Sequence, residues 1–422
     1  MNHLPVKTLN PIRRLQGNGQ SIWLDYIQRS LITSGKLTRL IEEDEVRGIT
    51  SNPAIFEKAI NGSSDYTMAL RKLKQEDGMD AKACYEQLAI WDIRDAADAL
   101  KPVYESTRRR DGFVSFEVSP HLARDTHGTL EDARRLWKAV DRDNVMIKVP
   151  ATPEGIPAIT QLISEGINVN VTLLFALETY EEVAEAFLTG LEQFMGRGGD
   201  VKGVASVASF FISRIDTAVD AEIAARLKTV KNEEDQAAFR YLQGKIAIAN
   251  AKLAYQRYLA LFSSPRWDAL ARRGAMTQRL LWASTSAKNP KYRDVIYVEE
   301  LIGQDTVNTI PPATMEAFRD HGHPRTRLIE EVEYAQDALK ILEEMGIPMQ
   351  GITTRLLEEG VRSFAEAFDN ILTAIEQTWG TERIERANDG IHFSPTASTL
   401  SRKEESKKLT PQGPTTTVPS SK

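Results

Sequence analysis

The sequence predicts a parallel α/β barrel with helical additions, and three observations carry that reading. Eight short β-rich runs alternate with longer helical patterns, the signature of βα units on a parallel sheet. Charged and amide side chains sit inside several of these runs, on one face. The chain has 422 residues, against roughly 250 for a bare barrel. One barrel with additions is therefore expected, two domains being the alternative.

The runs, in order, are Ser21–Ile27, Glu45–Thr50, Phe113–Ser119, Val145–Ala151, Ile167–Phe175, Gly203–Phe211, Gln278–Ser284 and Thr306–Ile310. Alternation alone also suits a doubly wound open sheet. The polar faces decide between the two. In the fifth run Asn168, Asn170 and Thr172 share one face, and Val169, Val171 and Leu173 the other, because side chains alternate along a strand. A helix-covered parallel sheet should be apolar on both faces, so the polar face is read as looking into a barrel. In the fourth run Lys148 shares its face with Met146 and Pro150, opposite Ile147 and Val149. Lysine is almost never buried unpaired. Asp25 in the first run and Glu117 in the third are two more charges set inside strand-like segments.

Between the sixth and seventh runs lies a stretch too long for one crossover helix. It contains helical patterns at Ala218–Leu227 and Glu233–Leu261, read as a helical insertion over about residues 215–275 on the barrel rim. Beyond Pro312 come helical blocks at Ile329–Met345 and Leu356–Trp379, a C-terminal helical extension. Residues 1–392 are expected to form a single barrel domain. From Ser394 the composition turns to Ser, Thr, Pro and Lys, so 393–422 is expected to be a disordered tail.

Composition excludes several function classes. A net charge of −6 with 27% charged residues is unlike a nucleic-acid binder, which carries a basic domain or stripe. One cysteine, Cys84, rules out an intrachain disulfide and points to a reducing compartment, hence a cytoplasmic protein. In the helical stretch around it Cys84 reads as a small packing residue. Arg13 and Arg14 are followed by no apolar leader segment, and no run is apolar enough to span a membrane. There is no dinucleotide fingerprint and no phosphate loop ending in Gly-Lys-Ser/Thr; Gly196-Arg197-Gly198-Gly199 lacks that spacing. His321-Gly322-His323-Pro324 has no organised acid or thiol beside it, so no metal site is expected.

The polar strand residues suggest chemistry. Desolvation disfavours a charged ammonium, and a free amine at Lys148 could attack a ketone to form a Schiff base that serves as an electron sink. Such a reaction needs acid–base groups, for which Glu117 and Asp25 are the candidates. The alternative for each is a salt-bridge role. Asn170 and Thr172 can bond the hydroxyls of a polyol. Ser209 closes the sixth run with Arg214 five residues on. Ser284 and Ser286 close the seventh, followed by Lys288 and Asn289. Barrels often bind phosphate near strands seven and eight, and Arg and Lys suit that ligand. His121 and His127 follow the third run without an assigned role.

The words Trp23-Leu24-Asp25, Gly48-Ile49-Thr50-Ser51-Asn52-Pro53, Ser115-Phe116-Glu117-Val118 and Met146-Ile147-Lys148-Val149-Pro150-Ala151 resemble those of transaldolases. So do Gly166–Phe175, Ser209-Phe210-Phe211-Ile212-Ser213-Arg214, Trp282–Pro290 and Asp305–Pro312. The chain looks most like the longer bacterial and plant branch, from near Leu9 to about Gln377. The resemblance implies a (β/α)8 TIM barrel without metal or organic cofactor, acting on sugar phosphates as a monomer or homodimer. It implies transfer of dihydroxyacetone from sedoheptulose 7-phosphate to glyceraldehyde 3-phosphate in the pentose phosphate pathway. By position it makes Lys148 the Schiff-base lysine and Asp25 the group that handles the proton of the cleaved hydroxyl. Glu117 would work through a water with Thr172. Asn52, Asn170 and Ser209 would hold the ketol hydroxyls, and Arg214 and Ser284 the phosphate. Shorter members place an Arg-Asn pair two residues after the strand-seven serine; here Lys288-Asn289 lies two residues further on and is read as the substitute. Related aldolases that release free dihydroxyacetone carry tyrosine in place of Phe211 and glutamine in place of Glu117. Such an aldolase is one alternative reading. A non-catalytic sugar-phosphate binding protein is the other.

Overall fold

The computed structural model describes residues 10–389. The chain divides into two compact units, Met1–Trp379 and Gly380–Lys422, and the barrel lies in the first. The expected tail, 393–422, falls outside the described residues.

Eight strands form a closed, wholly parallel barrel in sequence order. They are β1 Gln20–Asp25, β2 Gly48–Thr50, β3 Phe113–Glu117, β4 Val145–Pro150, β5 Val169–Leu174, β6 Ser206–Phe211, β7 Arg279–Ala283 and β8 Thr306–Ile310. Apolar residues at alternate positions, such as Ile147 and Val149 of β4 or Val169 and Val171 of β5, are completely buried. The opposite face carries the polar residues inward. At the N-terminal end of the barrel a buried ion pair, Arg279–Asp111 at 2.8 Å, is tied to Ser21 and to the Trp23 indole. Its polar atoms are satisfied there, as burial of charge requires.

The stretch between β6 and β7 forms four helices: Ser213–Leu227, Glu233–Leu242, Ile246–Leu261 and Pro265–Ala271. The expected continuous helix Glu233–Leu261 is broken. Gly244 takes a left-handed φ of +69°, and its N–H donates to Asp220 Oδ1 at 3.1 Å. Glycine adopts that conformation without steric cost, and the side-chain acceptor replaces the lost helical partner. The helix after the break packs against β7, Leu177–Gly196 and Val332–Glu344, joining the layer around the barrel.

The last long helix runs Met349–Asp389. Ile352, Leu356, Gly360, Phe364, Phe368, Ile371 and Ile375 are its buried stripe. Their spacing of three and four residues puts them on one face.

Candidate active site

The strand ends converge at the C-terminal mouth, where barrel enzymes place their chemistry. Asp25 ends β1, Thr50 ends β2, Glu117 ends β3 and Ala283 ends β7. Parallel pairing sets Glu117 opposite Lys148 and Lys148 opposite Asn170. One row thus runs from carboxyl to amine to amide across three strands.

Lys148 is 4% exposed. Its Nζ donates to the Ser51 carbonyl at 3.1 Å and stands 3.6 Å from Glu117 Oε2. The Glu117 side chain is only 6% exposed, and burial pushes its pKa up to about 7 although the Lys148 charge acts in the opposite sense. A carboxyl near 7 can give or take a proton at neutral pH. Asp25 is also raised by burial, against the lowering effects of Lys148, a hydrogen bond from Thr50, Lys288 and Arg214. Thr50 Oγ1 donates to Asp25 Oδ1 at 2.8 Å, and the Thr309 hydroxyl lies 2.6 Å from Thr50. Because Thr50 spends its proton on Asp25, Thr309 donates to Thr50.

A cavity of about 80 Å³ is lined by Asp25, Thr50, Asn52, Lys148, Ser209, Phe211, Arg214, Ala283, Ser284, Thr309 and Phe364. Eight of the expected site residues therefore meet in one place or directly beside Lys148: Asp25, Asn52, Lys148, Ser209, Phe211, Arg214 and Ser284 in the wall, and Glu117 against the amine. Asn52 caps the helix Pro53–Asn61 by accepting from the Ile55 N–H at 3.0 Å, which leaves its amide N–H groups for other partners. Asn170 is fully buried behind the wall. Its Nδ2 donates to Ser115 Oγ at 2.9 Å and its Oδ1 accepts from Ser209 Oγ at 2.6 Å. Thr172 is also fully buried, and its Oγ1, like Glu117 Oε2, has no hydrogen-bond partner.

The cationic side of the site comes from the helix after β6 and the loop after β7. Arg214 lies in the first turn of the helix Ser213–Leu227, its guanidinium 5.4 Å from the Phe211 ring centre. Burial lowers its pKa, and no ion pair engages it among the described residues. Lys288 lies outside the cavity wall and donates to Ser286 Oγ at 2.7 Å. Its pKa is lowered, by burial first and by the Arg214 charge second. Lys288 thus lies within the same field as Arg214 and Asp25.

Two strand ends near the site carry backbone strain. Leu173 has φ +58° beside a register shift between β5 and β6, and Ser284 has φ +58° with its Oγ 3.1 Å from Ser213 Oγ. Non-glycine residues seldom adopt this region, and such strain clusters at functional sites. His121 is exposed and bonded to Asp369, and His127 is an exposed helix residue beside Glu131; neither reaches the cavity. Cys84 is buried in the helix Ala81–Ser106, its thiol pushed up to about 12 by burial. No group of three or more His, Cys, Asp and Glu could hold a metal among the described residues. None of the described helices is long and apolar enough to cross a membrane.

Sequence reasoning missed Thr309, the Ser51 carbonyl and Phe364. Thr309 had a signal, a hydroxyl side chain on the same strand face as Val307, one residue from the end of β8. The other two had none, since a backbone carbonyl leaves no mark in sequence and Phe364 reads as core.

An amine buried beside a near-neutral carboxyl, at the mouth of an eight-stranded parallel barrel, defines the class: a barrel enzyme with a lysine-centred site. Residues 22–375 match the family model described as transaldolase/fructose-6-phosphate aldolase. A transaldolase of Trichodesmium erythraeum is 46% identical over 87% of this chain and 97% of its own length. Transaldolases of Thiobacillus denitrificans and Thermobifida fusca are each 46% identical, covering 85% and 87% of this chain and 97% and 98% of their own lengths. The chain belongs to the transaldolase/fructose-6-phosphate aldolase family, and it is a transferase of the transaldolase type.

Proposed function

We propose that the enzyme moves dihydroxyacetone from sedoheptulose 7-phosphate to glyceraldehyde 3-phosphate through a Schiff base on Lys148, giving erythrose 4-phosphate and fructose 6-phosphate. The observation that carries the reading is the buried Lys148 amine between Glu117, 3.6 Å away, and Asp25 in the same cavity wall. The amine adds to the donor ketone. Glu117 protonates the carbinolamine hydroxyl, which leaves as water. Glu117 Oε2, paired with the Lys148 charge, and Thr172 Oγ1 are both buried without hydrogen-bond partners, so each is free to bond the departing water. Asp25 takes the proton of the hydroxyl next to the bond that breaks. The aldehyde leaves, and the electron pair of the broken bond enters the iminium to form an enamine. Attack on the acceptor aldehyde runs the same steps in reverse, with Asp25 returning the proton.

Ser209 donates to Asn170, so its lone pairs accept from a ketol hydroxyl. Asn170 acts on the substrate by orienting Ser209, and Asn52 offers its amide N–H groups from the opposite wall. Arg214 and Ser284 hold the phosphate, with Lys288 adding charge from the loop beyond. This cationic side supports a phosphorylated substrate, as the family implies.

Borohydride reduction in the presence of fructose 6-phosphate should fix a dihydroxyacetone unit on Lys148, located by peptide mapping. Lys148→Arg keeps the charge but cannot form the imine, so transfer measured with sedoheptulose 7-phosphate and glyceraldehyde 3-phosphate should disappear. An adduct on another lysine would refute the assignment.

A further inference from the structure

The C-terminal helix crosses the barrel mouth, and its path can be followed residue by residue. At Gly360 it meets the strained end of β5. A Cβ there would lie 2.8 Å from Leu173 Cδ2, so a larger residue would have to push the Leu173 side chain aside. One turn on, Phe364 enters the cavity wall with its ring centre 5.8 Å from Lys148 Nζ. One further turn brings Phe368 against Tyr85 in an edge contact at 5.4 Å. Asp369 then bonds His121 beyond β3 at 2.8 Å, and Asn370 bonds Glu57 beyond β2 at 3.0 Å. The helix is fastened on both sides of the amine, and Phe364 is 3% exposed between the fastenings. Phe364 carries no hydrogen-bonding group, so it does no acid–base work. What it can do is keep water away from the nitrogen and the carbon bonded to it.

We propose that Phe364 is a specificity-determining residue that holds the enamine for the acceptor aldehyde by excluding water from the face of the Lys148 adduct. The proposal rests on the Schiff-base reading above. The enamine has two fates. In transfer, its nucleophilic carbon forms a bond to the aldehyde carbon, the aldehyde oxygen takes a proton from Asp25, and one water delivered from the Glu117 side then hydrolyses the resulting iminium to the product ketose. In release, the same carbon takes a proton from solvent, giving an iminium. One water then hydrolyses the iminium to dihydroxyacetone and the free amine, returning a proton to solvent. Only release needs solvent at the enamine, so a wall that excludes solvent sets the ratio of the two. Removing the ring opens a path for water while leaving Asp25, Glu117 and Arg214 unchanged.

The test uses the full chain and fructose 6-phosphate, with and without erythrose 4-phosphate, comparing wild type, Phe364→Ala and Phe364→Leu. Free dihydroxyacetone and newly formed sedoheptulose 7-phosphate are measured in the same reactions. In Phe364→Ala the ratio of release to transfer should rise about tenfold or more, short of the roughly 10²–10⁴ that a positioned proton donor gives. Phe364→Leu keeps most of the volume and should shift the ratio in the same direction by less; it also serves if the alanine variant fails to fold. A purely structural role would lower both reactions together and leave the ratio fixed, and that result would overturn the proposal. Borohydride labelling of wild-type Lys148 separates the two readings. Without label the imine and this proposal fall together, whereas label with a constant ratio overturns the proposal alone.

Discussion

Replacing Glu117 by glutamine keeps the shape of the side chain and removes its titration. In the folded protein burial pushes this carboxyl from 4.5 up to about 7, so the folded chain binds a proton that the unfolded chain has released. The group's contribution to stability is fully present below about pH 4.5 and is lost as the pH rises through about 7. At about 1.36 kcal/mol per unit, the shift corresponds to roughly 3 kcal/mol. Urea unfolding of wild type and Glu117→Gln at steps from about pH 4 to about pH 8 should therefore show wild type losing roughly 3 kcal/mol more than the variant. Asp216 is also pushed up to about 7 by burial, but it titrates in both proteins and cancels in the difference. The same variant should slow imine formation by about 10²–10⁴-fold, measured by borohydride trapping over time. Parallel stability curves would refute the reasoning, because they would mean that Glu117 binds its proton equally in the folded and unfolded chains and burial leaves it unshifted.

Three further outcomes are expected. Asp25→Ala should still form the imine with dihydroxyacetone but lose carbon–carbon cleavage by about 10²–10⁴-fold; near-normal turnover would remove Asp25 from the mechanism. Arg214→Ala should raise KM for a phosphorylated donor far more than for its nonphosphorylated counterpart, and Lys288→Ala should do so less steeply; equal losses for both substrates would make these residues structural. Phe211→Tyr places a hydroxyl, able to donate a proton or orient a water, in the cavity wall. It should increase release of free dihydroxyacetone from fructose 6-phosphate without acceptor, whereas parallel loss of both activities would leave Phe211 a packing residue.

The strands were legible because burial on both sides leaves a signal that loops cannot imitate. β8 has the expected bounds. The second strand begins later than expected because Glu45, with φ +56°, closes the helix Lys36–Asp44 and cannot also start a ladder. The sixth is shortened by the 3-10 turn at Val201–Gly203. In the site, Lys148, Glu117 and Asp25 stood out because a charge inside an apolar run needs a reason. Asn170 was legible as an inward polar residue, but its bonds to Ser115 and Ser209 depend on neighbouring strands. Phe364 was illegible for a related cause. The stripe Leu356, Gly360, Phe364, Phe368 is a plain amphipathic pattern, and which surface it meets is decided by contacts far away in the chain.

That last helix gives the protein a schedule as well as a shape. Strand pairing can close once Ile310 has been synthesised, but the wall over Lys148 is complete only after Phe364 has emerged and docked. A chain grows at roughly 5–20 residues per second, and its earlier parts fold first. For a few seconds on the ribosome, then, the nascent chain has Lys148 without its cover. Competence arrives with the final helix, so the partition between the two products is set only once Phe364 has docked.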